Sequence, residues 1–198
     1  MVEKSTQMTK KKPEITVFAG PNGSGKSTTT LESPHVISPY INADDIKRTI
    51  YCSDLEAAQK AEELRKKCLD NMESFSFETV LSTRRNLDLL KSAKEKGYFL
   101  RGIYVLTADV ELNILRIKAR QQRGGHGVPS DKVRSRYEKS LANIPEFVEL
   151  CDVCHIYDNT GQELRRIFKK KRDEITFWTT QIWTQNKIKS LVNLPETQ

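Results

Sequence analysis

The octapeptide Gly20-Pro21-Asn22-Gly23-Ser24-Gly25-Lys26-Ser27 has the spacing glycine, four residues, Gly-Lys-Ser, which is the pattern of a loop that cradles phosphate. Its glycines permit backbone conformations closed to other residues, so successive N–H groups converge on phosphate oxygens at the positive end of the following helix. Lys26 then reaches the β and γ phosphates of a nucleoside triphosphate, and the Ser27 hydroxyl is a ligand for Mg2+. Gly20 through Ser27, with Thr28 beyond them, are the expected nucleotide contacts. No Asn-Lys-x-Asp reader of guanine is present and no four-residue apolar run ends in Asp-Glu. This argues against a GTPase switch or a motor and leaves a small kinase that uses ATP or GTP with Mg2+.

Acidic and basic groups follow at positions suited to phosphoryl transfer. Asp44 lies just past the apolar run ending at Ile41, where a carboxylate can take the proton of an acceptor hydroxyl. Asp45 is the alternative base, and either residue could instead cap the next helix. Glu78, with Thr79 beside it, is a second acidic group that could hold the acceptor or a magnesium-bound water. Arg116, Arg120 and Arg123 are spaced i, i+4 and i+7, one stripe of a helix whose Val110, Ile114 and Ile117 face a core. A fork of arginines suits the charge of a transferring phosphoryl group. Gly124-Gly125-His126-Gly127 reads as a hinge for a closing lid, with His126 a loop residue, and Arg134 and Arg136 follow it on the next helix.

These groups need a scaffold. Ile15 to Ala19 reads as a buried strand, with a helix opening near Lys26. Asp54 to Met72 has the period of an amphipathic helix, with Leu55, Ala58, Ala61, Leu64, Cys68 and Met72 on its apolar side. Strands are expected at Phe75 to Val80, Tyr98 to Thr107 and Val153 to Tyr157. Helices are expected at Arg84 to Lys96, from an Asp109 cap to Gln122, and after a Ser130 cap. Residues 165–172 read as part of a basic terminal helix. Alternation of this kind gives parallel strands joined by right-handed crossovers, with helices on both faces and ligands beyond the carboxyl ends of the strands. The expected organisation is a basic tail over residues 1–13, a kinase body over 14–160 with a lid near 116–136, and a helical extension over 161–198.

Composition fits a soluble globular chain: of 198 residues, 37% are hydrophobic and 30% charged. The net charge of +7 favours anionic partners, but the basic runs at Lys10 to Lys12 and Arg165 to Arg172 read as a solvated tail and a solvated helix face rather than a nucleic-acid patch. There is no signal-peptide core and no stretch long enough to cross a bilayer, so a cytoplasmic location without a membrane partner is expected. The single Cys151-x-x-Cys154 pair beside His155 lacks the second pair that zinc requires.

Taken together, Gly20 to Ser27, Ile41-Asn42-Ala43-Asp44-Asp45-Ile46, Phe77-Glu78-Thr79-Val80-Leu81-Ser82, Arg120 to Val128 and Tyr157-Asp158-Asn159 resemble the zeta-toxin family of P-loop kinases, from about Ile15 to Thr160. The resemblance implies an α/β P-loop NTPase of adenylate-kinase-like, three-layer α/β/α form, with a mostly parallel sheet and a helical lid. It implies ATP with Mg2+ as the cofactor pair and transfer from ATP to a sugar hydroxyl of UDP-N-acetylglucosamine or a related nucleotide sugar, with Lys26 on phosphates and Asp44 as base. It also implies that Glu78 shapes the acceptor site, that Arg120, Arg123 and Arg136 hold phosphates, and that Asn159 sits near adenine. Between Arg120 and Arg123 the principal clamp stays open. A toxin would have an antitoxin protein as partner. A polynucleotide kinase or nucleic-acid-dependent ATPase, and a nucleotide-dependent binding switch without catalysis, are the competing readings.

Overall fold

The computed structural model describes residues 12–125 and 127–196. Most of the basic tail, with Lys10 and Lys11, and the hinge residue His126 lie outside the described residues. The elements run β1 (Glu14–Ala19), α1 (Lys26–Glu32), β2 (Tyr40–Ile41), α2 (Ala43–Ile50), α3 (Asp54–Asp70), β3 (Phe75–Thr79), α4 (Arg85–Glu95), β4 (Phe99–Leu106) and α5 (Val110–Gln122). They continue with α6 (Ser130–Ala142), α7 (Ile144–Leu150), β5 (Val153–Asp158), β6 (Arg165–Lys171), β7 (Glu174–Phe177) and α8 (Gln185–Leu191).

The sheet among these residues has the order β2-β3-β1-β4-β5-β6-β7. The first five strands are parallel neighbours, and β6 and β7 join antiparallel. Every residue from Ile15 to Ala19 is buried although successive side chains point to opposite faces, so β1 is covered on both sides. Ile15 and Val17 join one large core with Leu87 and Leu90 of α4 and Phe147 of α7. A small second cluster of Ile114, Ile117 and Val133, with Val110 and Val128 against it, holds α5 to α6. The expected apolar side of α5 is therefore the one that pairs the two lid helices.

Local sequence explains the helix starts. Ser53 and Glu56 cap α3 reciprocally, the Glu56 N–H donating to Ser53 Oγ at 3.3 Å and the Ser53 N–H to Glu56 Oε2 at 2.9 Å. Asp109 caps α5, accepting from the Glu111 N–H at 2.9 Å. Ser130 differs from expectation. Pro129 holds the capping position of α6, and Ser130 is the first helical residue, without a side-chain cap.

Two further expectations are corrected. The inward side of α3 is Ala57, Ala61, Cys68 and Leu69, whereas Leu55, Leu64 and Met72 are exposed. The basic terminal helix is a hairpin: β6 pairs with β5 and then with β7, turning at Arg172, whose φ is 55°. The open edge of β5 supplies unpaired backbone groups, and Ile167 and Phe168 bury themselves there, which outweighs the helical reading of the charges. Only α8 of the extension is helical among the described residues. Trp183 is buried, and Trp178 is half-buried with the Arg166 guanidinium 4.1 Å from its ring centroid.

Candidate active site

The phosphate loop leaves β1 at the switch point of the sheet, where β1 lies between β3 and β4. Gly23 and Gly25 have φ of 78° and 92°, the left-handed region that glycine enters without strain. A Cβ on Gly25 would lie 2.1 Å from the Asn159 amide nitrogen. That close approach lets Asn159 Nδ2 donate to the Ser24 carbonyl at 2.7 Å, tying the end of β5 to the loop. Asn159 thus supports the loop from behind. Gly20, Pro21 and Ser24 are its buried floor, and Asn22, Gly23, Gly25, Lys26, Ser27 and Thr28 line a cleft of about 610 Å³.

Lys26 is half-buried in this cleft. Desolvation of its ammonium lowers its pKa, Glu78 and Asp44 pull it back up, and Arg120 adds to the lowering. Ser27 Oγ donates to Glu78 Oε2 at 2.9 Å, while the Tyr40 hydroxyl donates to Glu78 Oε1 at 2.7 Å. Both oxygens of Glu78 are therefore fixed. Burial, followed by the Glu78 acceptor, pushes the Tyr40 phenol well above its ordinary range, so it stays a donor. Asn42 in turn donates to the Tyr40 oxygen at 3.0 Å and caps α2 by accepting from the Asp44 N–H at 2.9 Å.

The sequence left Asp44 and Asp45 as alternatives, and the structure separates them. Asp44 lines the cleft, whereas Asp45 is turned to an ion pair with Arg48 and does not. Thr79 also lines the cleft, its hydroxyl accepting from the Leu81 N–H at 2.9 Å and from Asn86 Nδ2 at 2.7 Å. Of the arginines, Arg116, Arg120 and Arg136 line the cleft, and Arg123, at the C-terminal cap of α5, is exposed outside it. Arg134 pairs with Glu111 between the lid helices, Nη2 to Oε2 at 3.1 Å. Gly125 packs its N–H onto the Arg120 carbonyl at 3.0 Å, closing the end of α5.

Sequence reasoning passed over Tyr40, Asn42, Arg65 and Asn86, which all bear on this cleft. The signal for Arg65 was its spacing: four residues after Ala61 and three before Cys68, it is a charge on the inward side of α3.

The donor set fits a nucleotide and a hard cation. Arg116 Nη1 is buried with no hydrogen-bond partner among the described residues, a donor with the geometry to receive a phosphate oxygen. Ser24 Oγ in the loop is likewise buried and unpartnered. The Ser27 hydroxyl and Glu78 carboxylate are oxygen donors of the kind Mg2+ takes.

An uncharacterized Haemophilus influenzae protein is 34% identical over 125 residues, covering 61% of this chain and 89% of its own length. Among solved structures, the AvrRxo1-ORF1:-ORF2 complex with ATP has a TM-score of 0.72 at 13% identity, covering 94% of this chain. The present chain spans 65% of that one. The PezAT toxin-antitoxin system of Streptococcus pneumoniae has a TM-score of 0.59 at 16% identity, covering 98% of this chain and 84% of its own. These likenesses agree with the fold. The Zeta toxin family model matches residues 1–178, and the chain belongs to the Zeta toxin family.

Proposed function

We propose that the protein is a phosphotransferase that moves the γ-phosphoryl group of ATP onto a hydroxyl of a small acceptor, with a nucleotide sugar as the leading acceptor class. The observation that carries this reading is the convergence of Lys26, Asp44, Glu78, Arg116 and Arg120 on one cleft at the phosphate loop. A chain that only bound nucleotide would have no use for a carboxylate opposite that loop. Family membership supports the same reaction class.

In this reading Asp44 accepts the acceptor's proton. The acceptor oxygen bonds to the γ-phosphorus as the bond to the β–γ bridging oxygen breaks, and ADP departs. Lys26, Arg116, Arg120 and Arg136 stabilise the charge on the transferring group, acting from a half-enclosed site where such interactions are strong. Ser27 and Glu78 would hold Mg2+, which when bound supplies further neutralisation of the phosphoryl oxygens. Tyr40 and Asn42 orient Glu78. Closure of the α5–α6 pair would exclude water and spare ATP from hydrolysis.

An antitoxin protein is the proposed macromolecular partner, supported by the toxin-antitoxin system named for one structural neighbour. Among the described residues no helix is long and apolar enough to cross a membrane.

The test is transfer from ATP to UDP-N-acetylglucosamine, other nucleotide sugars, nucleosides and an oligonucleotide, read as mass gain, with Lys26→Ala as blank. Gain on a nucleotide sugar that vanishes in the blank supports the reading. Gain on the oligonucleotide alone points to a polynucleotide kinase, and ATP binding with no gain leaves a nucleotide-dependent switch.

A further inference from the structure

The basic run Arg165 to Arg172 takes no part in the phosphoryl-transfer scheme, and as a strand it arranges its charges differently from the solvated helix face expected of it. Cys154, Ile156 and Phe168 turn to the large core. Alternation sends their neighbours along the strands to the opposite face of the sheet. There His155 stands opposite Lys169, Tyr157 opposite Arg166, and Lys169 opposite Thr176. Lys171, opposite Glu174, continues the row. Lys170 is on the core side instead, its Nζ donating to the Val148 carbonyl at 2.8 Å.

Aromatic rings tile that face. The His155 and Tyr157 rings lie 6.1 Å apart, their planes at 10° to one another. The Arg166 guanidinium lies over Trp178. All three rings are half-buried, and Arg166, Lys171 and Thr176 are exposed. Three adjacent strands spaced by about 4.8 Å make a platform about 10 Å across.

The field over the platform is positive. Burial first, then Arg166, Lys169, His35 and Arg101, holds the His155 imidazole below its ordinary range, so it is a neutral ring among cations. Among the described residues Arg166, Lys169 and Lys171 form no ion pair, while Arg165 takes Glu163 at 3.5 Å. Glu174 is the one carboxylate among the described residues of β5, β6 and β7 on this face. Open rings interleaved with unpaired cations suit a ligand that has flat apolar faces and a phosphate backbone. A duplex hides its base faces in the stack, and an acidic protein brings charge without flat faces. A single strand brings both, and loops and ends of RNA are where unstacked bases persist.

We propose that the face of β5, β6 and β7 carrying His155, Tyr157 and Trp178 binds single-stranded RNA. Bases stack on the rings and on the Arg166 plane, and phosphates lie against Arg166, Lys169 and Lys171. None of these residues lines the phosphate-loop cleft, so the site is separate from the proposed chemistry and does not depend on the kinase reading.

The experiment titrates the full chain, with a non-hydrolysable ATP analogue and Mg2+ filling the cleft, into a fluorescently labelled uridine 12-mer and reads anisotropy. The comparisons are the deoxy strand of the same sequence, the uridine strand annealed to an adenosine 12-mer, and polyglutamate as competitor. The wild type is expected to bind the single-stranded RNA at least about tenfold tighter than the duplex. Trp178→Ala and Tyr157→Ala are each expected to weaken binding about five- to a hundredfold, the range for one lost base stack. Tyr157→Phe keeps the ring and should bind as the wild type does. Lys169→Gln should lower the slope of log affinity against log salt by about 0.7, the worth of one phosphate contact on a single strand. Circular dichroism and the affinity for the ATP analogue establish that each variant is folded.

No binding by the wild type, equal binding of the duplex, displacement by polyglutamate at equal charge, or full affinity in Trp178→Ala would each overturn the proposal. RNA bound only when the ATP analogue is left out would belong to the cleft, and a deoxy strand held more than about tenfold tighter would make DNA the ligand. A wild type that dimerises in light scattering, becomes monomeric in Trp178→Ala and binds no RNA would assign the face to a second copy of the chain.

Discussion

The Ser27 hydroxyl and the Glu78 carboxylate, 51 residues apart in the chain, meet at 2.9 Å beneath the phosphate loop. One group opens α1 and the other ends β3, so the contact joins neighbouring strands at the point where a cation would bind. Glu78→Gln keeps the shape and removes the charge. It is expected to lower the transfer rate about a hundredfold, in line with the loss of one preorganised electrostatic group, and to raise the Mg2+ concentration needed for half-maximal rate. A magnesium titration of both proteins checks this, and an unchanged titration would remove Glu78 from the cation site.

Asp44 and Asp45 provide a controlled comparison, because they are adjacent yet only Asp44 lines the cleft. Asp44→Asn is expected to cost about 10² to 10⁴ in kcat, the usual worth of a positioned base, with ATP affinity retained. Asp45→Asn, which loses only a surface pair with Arg48, is expected to change the rate less than about threefold, since such pairs contribute little. Steady-state kinetics on the two variants separate the roles.

The lid arginines differ in the same way. Arg116→Ala is expected to slow transfer by about 10² to 10³, as loss of one charge-stabilising donor does. Arg123→Ala, outside the cleft, should stay within about threefold of wild type by the same reasoning. Equal losses in both would mean that the lid moves far enough on closure to bring Arg123 inward.

Gly25→Ala sets a Cβ 2.1 Å from the Asn159 amide at a φ of 92°. The expected cost is about 1 to 3 kcal/mol of stability for the strained backbone, together with a weaker ATP affinity. Asn159→Ala removes the hydrogen bond without the strain and should cost about 1 kcal/mol. Thermal unfolding with and without ATP distinguishes the two effects.

Burial first, then Arg166 and Lys169, lowers the His155 imidazole to about 4. The unfolded chain, with its histidine near 6.5, binds a proton in that interval that the folded chain does not. Stability is therefore expected to fall as pH drops from about 6.5 to about 4, and the fall should be shallower in His155→Gln. Melting temperatures across pH 4 to 7.5 give the comparison.

The parallel core was legible because Ile15 to Ala19, apolar but for Thr16, and Ile103 to Leu106 are short runs of the kind a doubly covered strand carries. The phosphate loop was legible because its spacing is dictated by backbone geometry. Choosing between Asp44 and Asp45, or between Arg120 and Arg123, was not, because each choice turns on helix phase at the cleft. The α3 stripe was right at Ala61 and Cys68 and wrong at Leu55, Leu64 and Met72: alanines contribute little to an apolar pattern, so the leucines drew the stripe outward past the buried Ala57. The hairpin of β6 and β7 was hidden because a strand at a sheet edge takes its stability from a neighbour distant in sequence. Six basic residues in a run of eight, Arg165 to Arg172 with Ile167 and Phe168 excepted, carry no local sign of that neighbour.

The bond from Asn159 to the Ser24 carbonyl spans 135 positions of the chain. During synthesis the phosphate loop emerges early, but the side chain that braces it arrives only after the last parallel strand has been made. Contacts of such separation form late, since the intervening chain must be ordered first. A nascent or truncated chain that ends before β5 therefore has the whole glycine-rich sequence and no brace for it. The brace of the loop is therefore a property of the finished domain, supplied by the end of the chain's last parallel strand.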